Sequence, residues 1–136
     1  MQATPYLYFK GRCEEAFKFY AQNLGGRIDA MVSYEQSPAA AHAPTEWRSK
    51  ILHTRMVLGS TVLMGTDDMS DRYREPKGFA VSLVVDSAAE ADRAFRALSQ
   101  GGTVGIALES NFFAARYGTL VDQFGVPWMV VCQNPS

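Results

Sequence analysis

Long hydrophobic runs are absent. The longest apolar stretches fall far short of the ~18–20 residues that cross a bilayer, so no membrane span is expected. The polar start leads directly into a strand-like run and has neither the basic nor the apolar region of a signal peptide. Runs of Lys and Arg are missing too. With 13 basic against 14 acidic residues and a net charge of -1, nothing marks an electrostatic footprint for a polyanion, and nucleic acid is not expected as a partner. Only two cysteines occur, Cys13 and Cys132, in no metal-type pair, which points to a reduced, cytoplasmic protein. Histidine is equally scarce: His42 and His53 leave little from which to build a metal centre or a nucleophile–base pair.

What is present describes a folded domain. A chain of 136 residues with 47% hydrophobic and 20% charged residues can bury a real core and is most simply one domain. Tyr6 to Phe9 is a short aromatic and apolar run suited to a strand. From Cys13 the period changes, and Cys13, Ala16, Phe17, Tyr20 and Leu24 recur at helical spacing up to the stop at Gly25-Gly26. Arg27 to Tyr34 reads as a strand, Ser37 to Thr45 as a mobile surface loop bracketed by prolines, Trp47 to Leu58 as a longer strand, and Ser60 to Met64 as its partner. After the polar stretch around Asp67-Asp68 comes a β-prone run, Phe79 to Val85. A capping box, Ser87 to Glu90, then opens a helix with Ala88, Ala91, Phe95 and Leu98 on its buried face. Val104 to Leu108 and a terminal hairpin, Tyr117 to Val131 around Asp122-Gln123-Phe124-Gly125, complete the chain.

The two halves share a plan: strand, helix, double glycine, then three strands. A spacing of 76 residues separates Gly26 from Gly102, and pairs Leu7 with Leu83, Glu14 with Glu90 and Phe19 with Phe95. The expectation is an α+β fold of two βαβββ modules that cover one another's apolar faces, residues 1–66 and 79–136, joined by a linker over 67–78.

With that architecture in view, the chain resembles the vicinal oxygen chelate superfamily, which includes glyoxalase I, the bleomycin-resistance proteins and the extradiol dioxygenases. It is most similar to the PhnB-like branch, also described as demethylubiquinone methyltransferase-like. The residues that carry the resemblance are Pro5-Tyr6-Leu7-Tyr8-Phe9, Ala16 to Tyr20, Leu24-Gly25, His53, Met64-Gly65-Thr66-Asp67, Gly78-Phe79 and Asp122 to Met129. The resemblance implies a cupped mixed sheet with helices on its outer face (the glyoxalase/bleomycin-resistance fold), a homodimer, and a metal or ligand cavity.

In metal-dependent members of that superfamily four strands each offer one ligand, typically His, Glu or Gln. Carried over, the first-strand position falls at Pro5 or Tyr6, the fourth-strand position near Leu63 or Met64, the fifth-strand position at Phe79 or Ala80, and the eighth-strand position at Met129. None is a ligand suited to Zn²⁺, Ni²⁺ or Fe²⁺, so no family-type metal is expected. A methyl donor fares no better, because the first strand-to-helix junction, Phe9-Lys10-Gly11-Arg12, holds one glycine and no fingerprint. No cofactor is expected.

His53 and Arg55 are the residues of chemical interest. Strand alternation puts Ile51, His53, Arg55 and Val57 on one face and Leu52, Thr54, Met56 and Leu58 on the other, the second being the better match for a helix. His53 could act as an acid or base near neutral pH and Arg55 could grip an anion. The bland alternatives are a hydrogen bond within the sheet and an ion pair with an acidic neighbour. Phe9, Phe113, Tyr117 and Met129 join His53 and Arg55 as ligand-pocket candidates, whereas Trp128 alternates against Met129 and reads as packing. Glu109 reads as a surface carboxylate, and Asp67 and Asp68 as solvated turn charges. Three functions stay open: a binder of a small aromatic or amphipathic molecule, an atypical or metal-independent lyase or isomerase using His53, and a structural protein whose cup has filled with side chains. The absent metal ligands favour the first.

Overall fold

The computed structural model describes residues 1–134. They form two compact units that meet in sequence at Arg74 and Glu75, each a four-stranded mixed sheet with one helix. The first contains β1 (Tyr6–Phe9), α1 (Cys13–Leu24), β2 (Arg27–Ser33), β3 (Ile51–Leu58) and β4 (Thr61–Asp67). The second contains β5 (Val81–Val85), α2 (Ala88–Ser99), β6 (Thr103–Glu109), β7 (Ala114–Val121) and β8 (Pro127–Gln133). Strand order is β1-β4-β3-β2 in one sheet and β5-β8-β7-β6 in the other, with the first strand of each module parallel to its neighbour and the remaining pairs antiparallel. Among the described residues no helix is long and apolar enough to cross a membrane.

The helices form where the sequence pattern places them. In α1 the buried side chains are Cys13, Ala16, Phe17 and Tyr20, one stripe at helical spacing, and Gly25 closes the helix in the left-handed conformation. In α2 the Ser87 hydroxyl accepts from the Glu90 amide at 3.1 Å. The Glu90 carboxylate pairs with Arg93. Each helix lies on one face of its own sheet. Gly65 shows how closely: a Cβ there would stand 2.6 Å from the Phe17 ring, so only glycine lets α1 approach β4.

Sheet pairing sharpens the internal repeat. Tyr6 faces Met64 across β1 and β4, as Ser82 faces Met129 across β5 and β8, which keeps the spacing of 76 for the first strands. The buried faces of the helices align one residue differently, Ala16 with Ala91 and Tyr20 with Phe95. Phe19, which is only half-buried, is therefore not the counterpart of Phe95.

Three expectations are corrected. Trp47 to Lys50 is not strand: the proline-flanked segment folds into 3-10 turns at Pro38–His42 and Thr45–Trp47, and β3 begins at Ile51. The Ser37 hydroxyl caps the first of these turns by accepting from the Ala39 amide, and Trp47 packs edge-on against Tyr34. Phe79 and Ala80 precede β5 rather than open it.

Asp67 is the third. It is not a solvated turn charge but the last residue of β4, only 1% exposed. One carboxylate oxygen accepts from the amides of Gly11 (2.8 Å) and Cys13 (3.0 Å), the other from the amide of Ile51 (2.9 Å), and its carbonyl accepts from the Tyr34 hydroxyl (2.9 Å). Arg12, at the N-cap of α1, gives no side-chain cap, so Asp67 supplies the missing acceptor from another element. In the second unit Asp122 does comparable work inside the β7–β8 turn. It is buried, accepts from the amides of Phe124 and Val126, and receives the Trp128 indole N–H at 2.9 Å. Gly125, at φ +90°, makes that turn possible.

Asp67→Asn keeps the shape but replaces an acceptor oxygen with a donor amide. It should lower stability by roughly 2–4 kcal/mol in urea unfolding. Cys13 offers a second test. Burial first, then the charges of Asp67 and Glu14, push its thiol well above the ordinary range. Because the folded value is raised, the contribution to stability is complete below the unfolded thiol value of about 8.5 and declines as pH rises beyond it. Unfolding measured from pH 7 upward should show that decline, with a shallower slope in Cys13→Ala. An unchanged slope would remove Cys13 as its source.

Candidate functional site

The face of the first sheet turned away from α1 carries the chemistry. Alternation along β1 sends Leu7 and Phe9 to the helix side, where both are buried, and leaves Tyr6 and Tyr8 on the other, 38% and 51% exposed. On β3 the same alternation buries Thr54 and Met56 against the helix and leaves His53 and Arg55 on the open face. Register places Tyr6 opposite Met64, Met64 opposite Arg55, and Val32 opposite His53.

These side chains form one small polar and aromatic cluster. The Tyr6 hydroxyl lies 3.2 Å from His53 Nδ1, and the two rings stack at 6.0 Å with 28° between their planes. Tyr8 packs tilted against Tyr6 at 5.4 Å. Burial, reinforced by neighbouring Tyr8, pushes the Tyr6 phenol above its ordinary value, so it keeps its proton through the neutral range. Arg55 pairs with Asp29 on the neighbouring strand β2. Both partners reach solvent, which makes the pair a modest contributor to stability. His53 is thus engaged within the sheet, yet Nε2 has no hydrogen-bond partner among the described residues.

The other candidates separate. Phe9 leaves the set: it is 1% exposed and meets Phe17 edge-on at 6.0 Å beneath α1, so no ligand on the open face reaches it. Phe113, Tyr117 and Met129 belong to the second unit. Phe113 contacts Tyr117 edge-on at 5.3 Å and Phe112 edge-on at 5.1 Å, and the turn that presents the two phenylalanines is held by Asn111 Oδ1 accepting from the Phe113 and Ala114 amides. Met129 lies between Ser82 and Thr119 on the sheet face opposite buried Trp128. Sequence reasoning missed Tyr8 and Asp29 as neighbours of the His53–Arg55 face and Tyr6 as the partner of His53. The alternation Tyr-Leu-Tyr-Phe in β1 was the available signal for the tyrosines.

The metal-ligand positions of the superfamily can now be read by pairing. Tyr6 and Met64 face each other, and Ser82, rather than Phe79 or Ala80, faces Met129. Neither Tyr6 with Met64 in the first unit nor Ser82 with Met129 in the second offers an imidazole or a carboxylate, the donors that suit a hard or borderline divalent ion. Among the described residues no group of three or more His, Cys, Asp or Glu side chains is placed to hold a metal. The β1–α1 turn does not fit the phosphate or carboxylate of a cofactor either, since the Gly11 and Cys13 amides already donate to Asp67.

A family model described as 3-demethylubiquinone-9 3-methyltransferase matches residues 1–131. Protein YjdN of Escherichia coli (strain K12) is 30% identical over 146 residues, spanning 100% of this chain and 99% of that protein. The crystal structure of protein PA1353 from Pseudomonas aeruginosa is 45% identical, with 99% of each chain covered and a TM-score of 0.88. At 12% identity, covering 100% of this chain and 93% of the other, a glyoxylase/bleomycin resistance protein/dioxygenase domain from Frankia sp. EAN1pec shares the fold with a TM-score of 0.68.

Proposed function

Since this chain belongs to the family described as 3-demethylubiquinone-9 3-methyltransferase, with a glyoxalase-like fold, and its ligand positions do not suit the superfamily metal, we propose that it binds a small aromatic or amphipathic molecule without that metal. The observation that carries this reading is the Tyr6–Tyr8–His53 cluster. Three adjacent rings stand on an open sheet face, with the Arg55–Asp29 pair one step along β3. Exposed stacked rings give a flat molecule apolar area, and the neighbouring polar groups orient it. The unpaired, buried cysteines support a reducing, cytoplasmic setting.

The same Tyr6–His53 contact supports a second reading, a metal-independent lyase or isomerase in which His53 moves a proton. We also propose a homodimer. β6 is an edge strand, Thr-Val-Gly-Ile-Ala-Leu-Glu, with Val104 and Ile106 about half exposed and no charge before Glu109. Such an edge is a template for pairing. Antiparallel pairing with a second copy centred on Ile106 would set Val104 against Leu108, Gly105 against Ala107 and Thr103 against Glu109, with no like charges opposed.

Native mass spectrometry of freshly purified protein, with metal analysis of the same sample, tests the binding reading. An organic adduct is expected, retained at least about tenfold less by Tyr6→Ala or His53→Ala, as loss of a stacked ring or its hydrogen bond implies. Stoichiometric transition metal would contradict it. Conversion of the released molecule on adding it back to wild type but not to His53→Ala would favour the enzyme. Sedimentation velocity should show a dimer that Ile106→Lys turns into a monomer. A monomeric wild type would remove the edge-pairing proposal.

A further inference from the structure

Resting on the binding reading above, we infer that His53 is the selecting donor of the site. Fixed by the Tyr6 hydroxyl at Nδ1, it presents Nε2–H to an acceptor oxygen of a flat molecule, a carbonyl or phenolate attached to an aromatic ring. The geometry comes first. Tyr6 O and His53 Nδ1 are 3.2 Å apart, so one of the two must donate. Of the two groups the phenol O–H is the stronger donor and the imidazole ring nitrogen the stronger acceptor, so the hydroxyl donates to Nδ1. With the phenol as donor, Nδ1 is the acceptor and the ring proton of neutral imidazole resides on Nε2.

The rest of the face makes that proton distinctive. Arg55 is already balanced by Asp29, so the cluster does not present an uncompensated positive charge that would favour strong anions. Tyr8 and Tyr6 supply ring surface, and Met64, cross-strand from both Tyr6 and Arg55, is a polarizable thioether. His53 Nε2 is left as an imidazole donor without a partner among the described residues, on a half-buried side chain stacked with Tyr6. A planar ligand on the tyrosines that offers an oxygen to this N–H gains a directional bond. A planar ligand without one gains only area.

The test uses two probes of similar shape, 2-acetylnaphthalene and 2-ethylnaphthalene, titrated into full-length protein, together with ¹⁵N NMR of the His53 ring. The ring is expected as the Nε2–H tautomer, and the ketone should bind about three- to tenfold more tightly than the hydrocarbon, the range a single net hydrogen bond gives. His53→Phe, which keeps a ring, should abolish the preference for the ketone, and His53→Gln, which restores an N–H, should recover part of it. Equal affinities in the wild type, a preference that survives His53→Phe, or an Nδ1–H tautomer would overturn this inference while leaving the binding reading standing. Failure of both probes to bind would overturn the binding reading and this inference with it.

Discussion

A buried carboxylate that must be surrounded by donors is the constraint on which the first module depends. Asp67 ends β4, yet its oxygens receive the amides that begin α1 and the amide that begins β3. A buried carboxylate without such partners would cost several kcal/mol. Three chain segments therefore have to converge on it, and this convergence fixes where α1 starts. Helix placement in turn decides which face of the sheet is covered: Leu7, Phe9, Thr54 and Met56 go under α1, and Tyr6, Tyr8, His53 and Arg55 are left outside. The candidate site is thus a consequence of packing on the opposite face.

The second module reaches the same architecture with its buried aspartate elsewhere. Asp122 organises the β7–β8 turn and holds Trp128 by its indole N–H, and no counterpart of Asp67 stands at the end of β8, where the chain has Cys132 and Gln133. Its helix is capped locally by Ser87 instead. Two modules of one topology can therefore differ in what stabilises them and in what their open faces present. One shows a tyrosine–histidine cluster with an ion pair. The other shows Val84, Met129 and Val131 beside the hydroxyls of Ser82, Tyr117 and Thr119.

Much of this was legible in the sequence. Period and stop signals placed both helices, the spacing between double glycines exposed the repeat, and alternation along β3 assigned His53 and Arg55 to the face away from the helix. The two bland alternatives, a sheet hydrogen bond for His53 and an acidic partner for Arg55, are what the structure holds. What was not legible depends on contacts distant in sequence. Asp67 next to Asp68 looks like a turn, and nothing local says that amides 54 and 56 residues away will find it. Phe9 was misplaced because a four-residue strand gives too short an alternation to choose a face without knowing where the helix lies. Trp47 looked like strand because an aromatic residue satisfies a β pattern as well as it satisfies packing against Tyr34.

The metal reading illustrates a different limit. Counting along the sequence put the fifth-strand position at Phe79 or Ala80, whereas pairing puts Ser82 opposite Met129. The conclusion about ligand chemistry is the same in either register. We propose that the open face of the first sheet, and not a metal centre, is where small molecules bind. Mapping amide chemical shifts while titrating 2-acetylnaphthalene tests it most directly. The account predicts changes centred on Tyr6, Tyr8, His53 and Arg55, unaffected by a chelator. Saturable changes confined to the second module, or binding that appears only when a divalent metal is added, would contradict it.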